Sequence, residues 1–228
     1  MAKGDLQYID NSILYPTLNT VGLPHWKKWC HHVKQLSKKE QKEDQIRIAR
    51  IARANARIRL ASSFQGIILE DYSETSKNGY DAVLRLLLCY SAAEEVGVAI
   101  GTPVTRWRML HIVLAPKLRA LFKNAQSRTG SAEEDLLDYK PLMENISKSL
   151  KNKLTEFQAD KTDDTRIAAT VLRHLIAHGS LTLNSLQIRS KTSVDTINAL
   201  SNELLFHAKK NFQTWLYCHN IIKEKDRD

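Results

Sequence analysis

Proline and glycine are scarce in this chain, and their scarcity constrains the fold more than any other sequence feature. The 228 residues include eight Gly and five Pro, and no Pro occurs from Ile46 until Pro103. Because these residues are the main breakers of helices, long helices are permitted over most of the sequence. We predict an all-α protein, a bundle of about six helices, in which residues 181–188 (LTLNSLQI) are the one candidate strand.

Capping patterns and turn residues predict where the helices begin and end. A short helix is expected over residues 25–36. Ser37 with Glu40 matches a capping box, which predicts a long amphipathic helix over residues 37–73, open to a break near Gly66. Asn78 and Gly79 then favour a turn. The apolar run at 80–100 is the expected core helix, and further helices are expected at 105–125, 131–160, 163–178 and 192–223, with a second capping-box pattern at Ser131 and Glu134.

The first 36 residues differ from the remainder of the chain. Residues 1–24 carry Gly4, Pro16, Gly22 and Pro24 without a sustained period. We therefore predict an irregular N-terminal arm with a short helix at 1–36, followed by one helical domain at 37–228. No apolar run is long enough for a signal peptide or a membrane span. Three widely spaced cysteines argue against a disulfide framework, so a cytoplasmic location without membrane contact is expected.

The charge balance points to a polyanionic partner. Thirty-four Lys and Arg against 25 Asp and Glu give a formal charge of +9, with a pI near 9.4. Arginines recur at helical spacing at Arg47, Arg50, Arg53 and Arg57, and this stripe is a candidate to track an RNA backbone. A solvated, salt-bridged face is the alternative. The same two interpretations apply to a second basic segment with Arg106, Arg108, Lys117, Arg119 and Lys123.

Residues 163–179 (DDTRIAATVLRHLIAHG) carry polar side chains in a narrow pattern on an apolar helix. At about 100° per residue, one sector holds Arg166, Thr170, Arg173 and His174, and the opposite sector holds Val171, Leu172, Leu175 and Ile176. His178 lies at the boundary, where partial burial beside cations tends to lower an imidazole pKa and leaves a neutral base near neutral pH. Alternatively, Arg and His in a last turn before Gly179 only cap the helix.

Arg173, His174, three apolar residues and His178 form the string RHLIAHG, which resembles the signature of HEPN domains. The order of helices over roughly the last 150 residues is similar as well. The resemblance implies a helical bundle at 37–228 that pairs as a homodimer, with the signature helices of two subunits facing each other. Many HEPN domains are metal-independent ribonucleases of toxin and antiviral systems, whereas others only bind RNA or scaffold proteins.

The same resemblance implies roles for the signature residues. His178 would act as general base or acid on the RNA 2′-hydroxyl and leaving oxygen, Arg173 would hold the scissile phosphate, and His174 would orient the reacting groups. Thr170, Glu94 and Glu95 are candidate supporting residues. Glu94 and Glu95 lie in the apolar helix, so at least one should need a buried partner, for which Arg173 or a histidine is a candidate. An exposed end of that helix is the alternative.

We therefore expect a dimeric endoribonuclease of HEPN type, a toxin or antiviral-defence effector, with RNA, a second copy and a possible protein inhibitor or larger defence complex as partners. The alternatives are a noncatalytic RNA-binding or scaffolding module and a helical partner-binding protein. No cofactor or metal is expected, since His174 and His178 lack further ligands in a recognisable pattern. Arg166 joins the stripe Arg47, Arg50, Arg53 and Arg57 as an RNA-binding candidate. A further cluster comprises Trp26, Trp29, Cys30, His31 and His32. It has two possible roles, packing on the body of the protein or forming a surface for a substrate or partner.

Overall fold

The computed structural model describes residues 20–127, 146–177 and 190–223. Within these ranges the chain is all-α, as predicted, and an isolated antiparallel bridge joins Leu110 to Asp164. The described helices are α1 (Trp26–Gln35), α2 (Lys38–Glu43), α3 (Gln45–Ser63), α4 (Glu74–Ala99), α5 (Leu114–Ser127), α6 (Lys148–Gln158), α7 (Thr165–Ala177) and α8 (Lys191–Cys218), with a 3₁₀ turn at Val104–Arg106. None of these helices has the length and apolar character needed to cross a bilayer.

The capping box predicted at the start of α2 is confirmed. Ser37 Oγ accepts a hydrogen bond from Glu40 N at 3.3 Å, and Glu40 Oε2 accepts one from Ser37 N at 2.8 Å. These two bonds satisfy backbone donors that a helix start leaves without intrahelical partners. The short helix α1 also begins and ends within one residue of its predicted bounds.

We expect Glu40→Gln to lower the midpoint of thermal unfolding near neutral pH, by an amount that shrinks in acid. Hydrogen bonds from Ser37, first its side chain and then its backbone N–H, hold the pKa of Glu40 below its ordinary value of 4.5. A lowered folded-state pKa stabilises the fold above the unfolded-state pKa, and this stabilisation is lost as pH falls through the folded-state value. Thermal scans at a series of pH values below and above 4.5 test this. Glu43→Gln, at the other end of α2, is the control, and an equal deficit in that variant would contradict the prediction.

The prediction of one long helix at 37–73 is wrong, because the segment forms two helices. Asp44 separates α2 from α3, and α3 ends at Ser63, near the break considered at Gly66. Gly66 has φ +114°, and a Cβ there would lie 2.6 Å from Asp81 Oδ2. The Asp81 carboxylate also accepts from Ile67 N at 2.8 Å, so this irregular segment is held by a side chain fourteen residues away. The break therefore depends on a nonlocal contact as well as on glycine.

The turn predicted at Asn78 and Gly79 is also wrong, because α4 begins at Glu74 and runs through both residues. Ser73 Oγ accepts from Ser76 N at 3.3 Å and caps this earlier start. Gly79 is buried within the helix. Packing of a long apolar helix outweighs the local turn preference of the Asn-Gly pair, because tertiary context overrides local propensity.

The helix predicted at 105–125 begins only at Leu114. Before it, residues 107–111 are nonhelical and residues 112–113 form a turn. Met109 is fixed by hydrogen bonds from its N–H to Asp164 Oδ1 (3.2 Å) and from Thr165 N to its carbonyl (2.8 Å). The helix predicted at 131–160 is described only from α6 onward. α7 lies within the predicted range 163–178, and α8 begins one residue before the predicted range 192–223. Ser131, Glu134 and the candidate strand at 181–188 lie outside the described residues.

The chain divides into two compact units. The first comprises residues 1–64, 91–107 and 203–228, and its core includes an aromatic cluster of Trp29, Phe212 and Trp215, whose ring centroids lie 5.6–6.5 Å apart. The second comprises residues 65–90 and 108–202, where α5, α6 and α7 pack against one another around Phe122 and Phe157. The arm at 1–36 and the domain at 37–228 stay predictions.

Candidate functional site

The sidedness predicted for α7 is confirmed. Three of the four residues of the apolar sector, Val171, Leu172 and Leu175, are buried, and the fourth, Ile176, is half-buried. The opposite sector with Arg166, Thr170, Arg173 and His174 is half-buried. The helix is anchored by its apolar face in the second unit, so its polar sector is held in a fixed orientation. His178, the proposed base, lies outside the described residues. Two of the three signature side chains can therefore be located.

Tyr90 supports Arg173. The guanidinium carbon of Arg173 lies 5.7 Å from the centroid of the Tyr90 ring, within the range of a cation–π contact. The Tyr90 hydroxyl donates to Thr170 Oγ1 at 3.2 Å, and Thr170 Oγ1 donates to the carbonyl of Arg166 at 2.8 Å. Tyr90 is only 3% exposed, so its ring is a rigid platform. The Tyr90 side chain therefore contacts both Thr170, a predicted supporting residue, and Arg173, a predicted catalytic residue.

Sequence reasoning missed Tyr90, although one signal was present. A tyrosine inside the apolar run at 80–100 is a buried hydroxyl, and a buried tyrosine hydroxyl usually finds a hydrogen-bond partner. What the sequence does not reveal is that the partner, Thr170, lies 80 residues further along the chain.

Arg166, an RNA-binding candidate, is bound to a buried carboxylate. Its Nη2 and Nε donate to Asp164 Oδ2 at 2.9 and 3.3 Å, and its side chain is 12% exposed. Asp164 itself is 7% exposed and accepts from the backbone N–H groups of Met109 and Arg166. In this structure the Arg166 guanidinium therefore fixes the start of α7 and is committed to that role.

Arg119, from the second basic segment, has a similar structural role. Its guanidinium donates to the carbonyls of Phe157 and Thr162 at 2.7 Å each and pairs with Asp160 and Asp163 at 2.7 and 2.6 Å. Arg106 and Arg108 precede α5, so the five basic residues of this segment do not share one helix. The structure favours the salt-bridged alternative for Arg119.

Glu95, a predicted supporting residue, is paired with the arginine stripe. The shortest contacts from its carboxylate are 3.1 Å to Arg57, 3.7 Å to Arg53 and 3.8 Å to Arg50. Its side chain is 14% exposed, and its partners are these partly exposed arginines of the first unit rather than the predicted Arg173 or a histidine. Arg57 also donates to Ser91 Oγ at 3.0 Å, and Arg47 pairs with Asp44 at 3.1 Å. Glu94 is half-buried.

Three arginines around one carboxylate leave two positive charges in excess on this face of α3. Arg50, Arg53 and Arg57 are between about a third and a half exposed, which keeps them accessible to a phosphate backbone. Residues three and four apart rise about 4.5 and 6 Å along a helix, so the arginines form a row about 10 Å long. Glu95 Oε2 is buried and accepts no hydrogen bond from the described part of the chain, so the carboxylate is held mainly by charge.

We expect Glu95→Gln to lower stability and to raise RNA affinity. Loss of the charge leaves three arginines without their shared counterion, which we estimate costs about 1–2 kcal/mol after discounting for their partial exposure. The same loss adds one positive charge to the stripe, so retention of single-stranded RNA at low salt should strengthen severalfold. Urea unfolding and filter binding measure the two effects. Glu74→Gln, an exposed residue of the same helix, is the matched control.

If Glu74→Gln strengthens RNA retention as much as Glu95→Gln does, net charge alone explains the effect and the stripe is not the binding surface. A Glu95→Gln variant that loses stability without gaining affinity would give the arginines a purely structural role. The Glu95→Gln variant therefore tests the stripe through two measurements, an expected loss of stability and an expected gain of RNA affinity.

Within the cluster of Trp26, Trp29, Cys30, His31 and His32, the two tryptophans have different environments. Trp29 is buried and packs edge-on against Phe212 and Trp215, so its packing role is confirmed. Trp26 is half-buried, and no ring contact of its indole occurs within the described chain. Cys89 is fully buried. Among the residues with described positions, no three His, Cys, Asp or Glu side chains converge as metal ligands would.

Neither a protein-family model, nor a curated protein, nor a solved structure matches this chain.

Proposed function

We propose that this chain is a metal-independent endoribonuclease of HEPN type, with Arg173, His174 and His178 at its site. The observation that carries the proposal is the support of Arg173 by the buried ring of Tyr90 on the polar face of α7. The ring holds the guanidinium carbon of Arg173 in place, and the N–H donors of a guanidinium lie in its plane. A phosphate can accept two of these donors at once.

The chemistry requires only proton transfer and anion stabilisation, because RNA carries its own nucleophile. In the proposed reaction, His178 takes the proton of the 2′-hydroxyl as the 2′-oxygen forms a bond to phosphorus. The bond from phosphorus to the 5′-oxygen breaks, and that oxygen accepts a proton from a second acid. Arg173 stabilises the negative charge that develops on the phosphoryl oxygens, and His174 orients the phosphate. The products are a 2′,3′-cyclic phosphate and a free 5′-hydroxyl.

A second copy of the chain supplies the second acid in this proposal. Two α7 helices side by side would bring two histidines and two arginines to one cleft, so that one His178 accepts a proton while the other donates one. A monomer would then be inactive. The role of a toxin or antiviral-defence effector, held in check by a protein inhibitor or a larger complex, follows from the same resemblance.

The experiment is cleavage of a mixed RNA pool by the full chain in EDTA, with the cut ends analysed for cyclic phosphate. Cleavage that leaves 2′,3′-cyclic phosphate and depends on dimer concentration supports the proposal. If no RNA is cut, the catalytic proposal fails. Retention of uncut RNA on a filter would then support the noncatalytic RNA-binding alternative.

A further inference from the structure

A cleft of about 480 Å³ opens at the N-terminal end of α1, in the first unit. This volume is within the usual range for small-molecule sites. Its lining includes three cations, Lys27, Lys28 and Arg59, together with Trp26 and Asn55, and no described carboxylate contributes to it. Lys27 and Arg59 form no ion pair with any described residue. The cleft is therefore positively charged, and one of its sides is formed by an aromatic side chain, Trp26.

The start of α1 reinforces this positive character. Its N-cap residue, His25, is in the left-handed region (φ 54°) and makes no capping hydrogen bond with its side chain. The backbone N–H groups of Trp26 and Lys27 donate to no described group, and no acidic residue occupies the first turn. Lysines at the positive end of a helix dipole are unfavourable unless an anion binds there.

A second and independent feature is the buried side chain of Asn55, which lines the cleft and is 6% exposed. Its Oδ1 accepts a hydrogen bond from Leu23 N at 2.8 Å, and because that partner is a donor, the side-chain orientation is fixed. Asn55 Nδ2 donates to none of the residues described. This donor is not enclosed by the described chain, so it is open to an acceptor of a ligand in the cleft.

The cleft is held in shape by nonlocal contacts. A Cβ on Gly22 would lie 2.6 Å from Asn55 Oδ1, so only glycine allows the backbone to approach α3 this closely. Lys209, 7% exposed on α8, donates to the carbonyl of Thr20, and Gln213 Nε2 lies 3.2 Å from His25 Nε2. Residues 20–25 are thus anchored before any ligand binds, which reduces the entropic cost of binding.

We propose that this cleft binds a nucleotide unit. The phosphate lies at the N-terminus of α1 between Lys27 and Arg59, the base packs on the free face of Trp26, and Asn55 Nδ2 donates to an acceptor of the ligand. The nucleotide is either a free mononucleotide or one unit of single-stranded RNA. Binding here does not depend on the proposed RNA cleavage and would hold in a chain with no ribonuclease activity.

Isothermal titration of the full chain at low salt tests the inference, with adenosine 5′-monophosphate, adenosine and inorganic phosphate as probes. We expect the monophosphate to bind at least about tenfold more tightly than adenosine or phosphate, because only it engages both the cations and the ring. Lys27→Gln and Arg59→Gln should each weaken its binding at least about fivefold. Lys34→Gln, the same change in the last turn of α1, is the matched control and should leave binding unchanged. Trp26→Leu should weaken binding of the monophosphate and leave binding of inorganic phosphate intact.

Binding of the monophosphate that is no tighter than that of inorganic phosphate would overturn the inference, as would equal losses in Lys27→Gln and Lys34→Gln. Titration with penta-adenylate distinguishes a free mononucleotide from one unit of single-stranded RNA as the ligand. A gain of more than about tenfold over the monophosphate assigns the site to an RNA strand, and equal affinity assigns it to a free nucleotide. Arg173→Ala should bind the monophosphate as the wild type does. The cleavage assay and the nucleotide titration can therefore fail independently, so each tests only its own proposal.

Discussion

Arg173→Ala is expected to reduce RNA cleavage in EDTA by about 100-fold or more, as the loss of a group that stabilises transition-state charge usually does. Arg173→Lys should retain the charge but lose about tenfold, because an ammonium cannot offer two parallel donors to a phosphate. His178→Ala should match or exceed the loss in Arg173→Ala, since it removes the proton-transfer group itself. Initial rates on a defined single-stranded RNA measure these effects.

The matched control for Arg173 is Lys153→Ala, an exposed lysine on α6. It makes the same change in net charge and should cut RNA at the wild-type rate. Circular dichroism and thermal unfolding show whether each variant folds. If well-folded Arg173→Ala cleaves as fast as the wild type, α7 is not the site. If it binds RNA normally and fails to cleave, Arg173 acts in the reaction and not in general binding.

The features that sequence reasoning predicted correctly are those set by residues within one or two helical turns. The capping box of Ser37 and Glu40 joins residues three apart, and both of its hydrogen bonds form. The two sectors of α7 follow from a period of 3.6 residues, and the burial of Leu172 and Leu175 confirms them. Such patterns can be predicted from the sequence because the residues that form them are only a few positions apart in the chain.

The features that were missed depend on contacts between distant residues. The arginines that pair with Glu95 lie some 40 residues earlier in the chain, and the ring that supports Arg173 belongs to Tyr90, 83 residues earlier. The Asn-Gly pair at 78–79 favours a turn locally, but α4 buries Gly79 and continues. Tertiary packing decides all three, and one sequence does not state which helices pack together.

The candidate cleft shows the same limit. In the sequence, Lys27 and Lys28 only add to the positive charge of the chain, and Trp26 belongs to a cluster for which packing or a binding surface is open. Nothing in their spacing indicated that Asn55 and Gly22 would meet beside them, because that meeting depends on α3 packing against residues 20–25. The sequence places Gly22 in an irregular arm, whereas the structure also requires the absence of a side chain at this position.

Asp164→Ala is expected to lower the free energy of unfolding by about 3 kcal/mol, the typical cost of removing one partner from a buried ion pair. The alanine would leave the Arg166 guanidinium, 12% exposed, without its carboxylate, and would leave the N–H groups of Met109 and Arg166 without their acceptor. Urea unfolding measures the loss through the midpoint at unchanged slope.

Asp164→Asn separates the two contributions to that loss. An asparagine keeps an oxygen that can accept from the backbone N–H groups and removes only the charge, so we expect a smaller loss than in Asp164→Ala. Asp195→Ala, an exposed aspartate on α8, should change stability by no more than about 0.5 kcal/mol. Equal losses in Asp164→Ala and Asp164→Asn would show that the ion pair dominates. A loss in Asp164→Ala no larger than in Asp195→Ala would contradict the anchoring role of Asp164, and with it the fixed start of the helix that carries Arg173.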